Sequence, residues 1–135
     1  MNKQIKITFC LLVLFQGLHS IEEYIGRLWE VFLPAKIISS LISSNHEKGF
    51  IIFNICLFIF GLWTWLFPVR KNKLLAVGLL WFWTTIEMIN GIGHPLWALY
   101  NRSYVPGLAT APILLVLAIY LFKQLLQVDP KLLSK

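Results

Sequence analysis

An all-α polytopic membrane protein, with four transmembrane helices in a bundle and a short interfacial helix between the first and second, is the architecture this 135-residue chain calls for. Three observations carry that expectation. Hydrophobic residues make up 58% of the chain and charged residues only 13%, too apolar a balance for a small soluble domain. Gly49 to Val69 and Ser103 to Phe122 contain no charged residue, and each is long enough to cross a ~30 Å hydrocarbon layer at ~1.5 Å per residue. Elsewhere ionisable residues gather at the ends of apolar runs. The length leaves room for one domain, residues 1–135.

The first span is read as about residues 5–25, an apolar run from Ile7 to Leu18 preceded by Lys3 and Lys6 and closed by His19, Glu22 and Glu23. Leu18-His19-Ser20 resembles a signal-peptide cleavage site only loosely, because Leu stands where a small residue is preferred, so the segment is read as retained. Ile37, Ile38, Leu41 and Ile42 then alternate in pairs with Ser39, Ser40, Ser43 and Ser44, a helical amphipathicity that predicts an interfacial helix over about 35–44. The second span, about 50–67, ends at Pro68 and the basic cluster Arg70, Lys71 and Lys73. The third, about 74–92, carries Thr84, Glu87 and Asn90 on one face with His94 beyond, and Pro95 is expected to stop it. Pro106 suits the first turn of the fourth, about 106–126. Trp29, Trp63, Trp65 and Trp97 lie near span ends and fit interfacial aromatic belts. Cys10 and Cys56 sit in apolar runs without CxxC spacing and read as packing residues.

The formal charge of +6 belongs with membrane topology and anionic lipid, and nothing suggests a nucleic-acid partner. In the four-span arrangement one side collects eight Lys and Arg (Lys3, Lys6, Arg70, Lys71, Lys73, Lys123, Lys131 and Lys135), the other four, which puts both termini in the cytoplasm of a multi-pass cell-membrane protein. Measured from the cytoplasmic ends, His19, Asn54, Glu87 and Thr110 all come out about 18 to 21 Å up. Four helices offering polar groups at one level is what a site inside a bundle requires.

The pattern His19-x-x-Glu22-Glu23, then Asn90-x-x-x-His94, then Tyr104-x-Pro106-Gly107 resembles the HXXEE family, small integral membrane proteins of bacteria and archaea named for the first motif. The likeness runs from about Cys10 to Leu126. It implies a function that is unassigned, with an enzymatic role suspected from those motifs. Glu87 lies outside the motif set and enters the site on helical spacing alone.

Two imidazoles and several carboxylates suit a divalent metal, zinc, iron or manganese, with His19, Glu23, Glu87 and His94 as expected ligands. Glu22 is then a further ligand or the general base for a metal-bound water, and Asn90 orients a ligand from behind. Such a protein would be a metal-dependent enzyme acting on a lipid or another membrane-embedded substrate, with Tyr104 able to donate a hydrogen bond to substrate or headgroup. A metal-free acid/base isomerase using adjacent carboxyl groups is the alternative. So is a non-enzymatic subunit, either structural or moving protons or ions, and for transport a chain this small would form a homo-oligomer.

Overall fold

The computed structural model describes residues 1–128, and over them the protein is helical without strands. The tail with Lys131 and Lys135, counted above on the cytoplasmic side, lies outside the described residues. Helix α1 runs Lys3–Ile25 and is capped by the Asn2 side chain, which accepts from the Ile5 N–H at 3.0 Å. Two short helices follow, α2 (Leu28–Val31) and α3 (Leu33–Ile42). Helix α4 (His46–Thr64), capped by Asn45, continues into a π-helical turn over Trp65–Val69 that contains Pro68. Helices α5 (Leu75–Asn101) and α6 (Ala111–Leu125) complete the described chain.

Among the described residues, three helices are long and apolar enough to cross a membrane: Lys3–Ile25, His46–Val69 and Leu75–Asn101. The fourth, α6, has 15 residues and rises only about 22 Å, short of a ~30 Å layer. Its shortfall has a local cause. Residues 106–110, expected as its first turns, form tight turns instead, with Gly107 at φ +90°.

The expected stop at Pro95 is overturned, since α5 continues through it to Asn101. An internal proline forfeits one hydrogen bond and crowds the carbonyl four residues back, but neighbouring helices keep such segments helical in membranes. Here the residue four back is Gly91. A Cβ on Gly91 would stand 2.5 Å from Leu115 Cβ, so its missing side chain is what lets α6 lie against the proline-bearing turn.

Helix α3 is inverted relative to a soluble amphipathic helix. Ser39 is 1% exposed and packs against α4, where a Cβ on Gly49 would meet the Ser39 carbonyl oxygen at 2.1 Å. Leu41 is 81% exposed, and Ile37, Ile38 and Ile42 also face outward. Ser39 and Ala35 therefore form the packed side of α3, and the aliphatic residues lie on the free side together with Ser40.

The termini of the bundle are tied by specific contacts. Lys6 Nζ donates to the Arg70 carbonyl at 3.0 Å, and Trp65 Nε1 donates to the Lys6 carbonyl at 2.9 Å. The N-terminus and the basic turn thus share one end. Leu125 joins Ile5 and Val69 in the same apolar cluster, which brings the C-terminal end of α6 there as well. That cluster also holds Phe9, Leu12, Leu80, Trp83 and Leu121 and fills the basic half of the bundle. At the opposite end Leu28, Trp29, Ala35 and Phe50 form a smaller cluster. Trp29 is thus a buried packing residue with its ring tilted against Phe50, not a belt residue at a lipid surface.

Candidate functional site

Between the two clusters lies a layer of polar side chains. On α1, Gln16, His19 and Glu23 recur at three- and four-residue spacing, which places them on one buried face. On α5, Thr84, Glu87, Gly91 and His94 do the same, and the uninterrupted helix through Pro95 is what carries His94 onto that face.

His19, Glu23 and His94 meet at a point, each offering a ligand atom within 4.8 Å of the others. Glu23 Oε1 stands 3.2 Å from His19 Nε2 and 3.3 Å from His94 Nε2, and the two imidazoles meet edge to face with centroids 4.8 Å apart. His19 is wholly buried, at 0% exposure. Gly107 makes the room: a Cβ there would lie 2.7 Å from Cε1 of both imidazoles. At φ +90° a side chain would be strained in any case, so two independent constraints select glycine.

Glu22, adjacent in sequence, does something else. Successive helical residues do not face the same way, and its carboxylate turns toward the segment between α5 and α6. Oε1 accepts from the Ala109 N–H at 2.9 Å and from the Tyr104 hydroxyl, while Oε2 accepts from the Thr110 N–H at 2.9 Å and the Thr110 hydroxyl at 2.6 Å. A carboxylate has about four acceptor positions, and all are taken. Glu22, read from the sequence as a ligand or a base, is instead the anchor of this non-helical segment. Tyr104, read as a donor to substrate, donates to that anchor. Its phenol is pushed up to about 12 by the hydrogen bond to Glu22.

Thr110 links the two carboxylates. Its single hydroxyl proton goes to Glu22, so at 2.7 Å from His19 Nδ1 the same oxygen can only accept. The His19 proton therefore sits on Nδ1. A neutral His19 turns a bare Nε2 toward the bare Oε1 of Glu23, and Nε2 has no hydrogen-bond partner among the described residues. Two lone pairs facing each other call for a cation or a proton between them.

Glu87 stands outside the three-residue group. Turned so that its nitrogen faces the carboxylate, the Gln16 amide lies 2.9 and 3.0 Å from the Glu87 oxygens, and Asn90 Nδ2 is 3.4 Å from Oε2. Asn90 thus touches Glu87 rather than His94. Ser20 extends the polar layer to α4, donating to Asn54 Oδ1 at 2.7 Å. Thr110 and Gly107 entered the sequence reading only as a level marker and a motif letter. The available signal for Thr110 and Gln16 was a polar residue inside an apolar run.

Compared with known proteins, residues 10–121 match a family model described as "Protein of unknown function with HXXEE motif". No curated protein and no solved structure matches.

Proposed function

This chain belongs to the HXXEE family, and we propose that it is a membrane-embedded enzyme in which His19, Glu23 and His94 hold a divalent metal, zinc, iron or manganese, that acts on a lipid or another membrane-embedded substrate. One observation carries the reading: the bare, buried Nε2 of His19 aimed at Glu23 Oε1, with its proton held on the opposite nitrogen by Thr110.

The donor set suits the ion. Ligands bound at about 2.0–2.2 Å to one cation stand about 3 to 3.5 Å apart, which matches the separations of 3.2 and 3.3 Å from Glu23 to the two imidazoles, while the full set lies within 4.8 Å, so a bound ion would draw the imidazoles closer together. Two His and one carboxylate leave coordination positions free, as catalytic zinc and non-haem iron sites do. Bound there, a metal supplies Lewis acidity toward a substrate oxygen or a water. The protein's own part is orientation. Thr110 fixes the His19 tautomer, Glu22 fixes Thr110, and Gln16 and Asn90 hold Glu87 beside the site.

Closure on one point favours this reading over transport. In the basic half, His19, Glu87 and Gln16 give way to a layer of Phe9, Leu12, Leu80 and Leu121, and the buried polar residues of that half, Thr8, Thr64 and Gln124, lie toward its basic end. We also read α6 as a fourth crossing completed by residues 106–110, with the basic end cytoplasmic and α3 lying at the outer surface, its aliphatic face in lipid. The convergence of Lys6, Arg70 and Leu125 at one end supports that topology.

The test is metal content by mass spectrometry on detergent-purified protein beside a His94→Ala variant, both checked by circular dichroism. Near-stoichiometric metal in the parent and more than a ~100-fold loss of affinity in the folded variant is the expected result, beyond what outer-shell changes produce. Metal-free protein after incubation with zinc, iron and manganese would sink it and leave a proton shared between His19 and Glu23, the acid/base alternative.

A further inference from the structure

A cavity of about 230 Å³ opens beside Glu23. Its polar wall is Gln16, Glu23, Asn54 and Asn90, its apolar wall includes Leu57 and Ile86, and α3 roofs it. A second, larger space of about 630 Å³ runs as a groove between α1 and α4, lined by Gly17, Ser20, Ile21, Asn54, Ile55 and Phe58. Phe50 and Asn54 belong to both. The Ser20–Asn54 hydrogen bond is therefore the border between a polar chamber at the candidate metal site and an apolar channel at the bundle's outer surface.

We infer that chamber and groove together bind a single-chain lipid ending in a small, uncharged, oxygen-bearing head, such as a long-chain alcohol or aldehyde. This rests on the proposed function, of which it names the substrate class. The head follows from the chamber's chemistry. Three primary amides line it, and beyond the bonds that Gln16 and Asn90 make to Glu87 and Asn54 makes to the Phe50 carbonyl and Ser20, each keeps N–H or lone-pair capacity for a hydroxyl or carbonyl oxygen. Among the described residues no Lys or Arg lines either space, so a phosphate would be stripped of water with only the proposed metal, its charge already partly offset by Glu23, to meet it. The tail follows from the groove, which is apolar apart from the Ser20–Asn54 border and sized within the ~300–1,000 Å³ of ligand sites. Gly17 keeps it open at its floor, where a Cβ would press on Phe58 at 2.9 Å.

The experiment is photoaffinity labelling of the detergent-purified full chain with a diazirine-bearing long-chain alcohol, followed by peptide mapping. Leu18 and Ile55 line the groove yet are half exposed, so Leu18→Trp and Ile55→Trp fill it from outside without entering the core. Expected is labelling confined to the α1 and α4 peptides, competed by unlabelled alcohol, and reduced about tenfold in both variants with metal content unchanged. Equal labelling of the outward face of α6, labelling indifferent to both tryptophans, or equal competition by a two-chain phospholipid would overturn it. In His94→Ala the labelling persists. Metal-free parent protein with retained groove labelling therefore counts against the metal reading alone, and loss of groove labelling in metal-loaded protein counts against this one.

Discussion

Along its first half α1 presents Ile5, Phe9, Leu12 and Val13 to Leu80, Trp83, Leu121 and Leu125, while along its second half it presents Gln16, His19 and Glu23 to Glu87, Thr110 and His94. The contacts in the first region are non-directional, and dispersion spread over many atoms tolerates exchange of one aliphatic group for another. In the second, each hydrogen bond assigns the next. Glu22 takes the Thr110 proton, Thr110 thereby takes the His19 proton, and His19 is left with a bare nitrogen inside. One half of the bundle holds the helices together, and the other half spends that rigidity on aiming lone pairs.

The contrast yields three measurements in descending order of effect. Thr110→Val removes the acceptor of His19 Nδ1 and is expected to weaken metal affinity by about 10- to 100-fold while leaving helix content unchanged. An unchanged affinity would mean that the tautomer is not set by Thr110. Leu121→Ala, in the other half, leaves a void and is expected to cost about 2 kcal/mol in detergent unfolding with metal affinity unaltered. A matching drop in affinity would dissolve the distinction between the halves. The smallest effect belongs to Tyr104→Phe, below about 1 kcal/mol for one partly exposed hydrogen bond. Its signature is its pH dependence. The phenol is held up to about 12, above its ordinary value near 10, so its contribution is complete below pH ~10 and disappears as pH rises through about 12. Alkaline titration of the metal-free protein, followed by ultraviolet absorbance, should show that loss in the parent and not in the variant.

Much of this was legible in the residues. The shared level of His19, Glu87 and Thr110 follows from counting along apolar runs, and the face of α5 from the spacing of Thr84, Glu87, Gly91 and His94. The separation of Glu22 from Glu23 was readable in principle, since neighbours on a helix diverge by about 100°. What Glu22 would meet was not, because its partners lie more than 80 positions away in segment 104–110. Pro95 misled because a local rule for helix ends gave way to packing at Gly91 against Leu115. Glu87 was assigned to the metal by its face alone. A face fixes direction but not the competitor that arrives first, here the amide of Gln16.

Thr110 reaches His19 across 91 residues of chain, and this spacing sets a timetable. During synthesis the N-terminal segment emerges first. His19 and Glu23 wait through three more helices, α2, α3 and α4, before His94 arrives on α5, and the tautomer of His19 stays unassigned until residue 110 has followed. A nascent or truncated chain thus exposes loose imidazoles and carboxylates, while only the finished one presents them as a directed set. The directed set is complete only once the segment that follows α5, through residue 110, has been made.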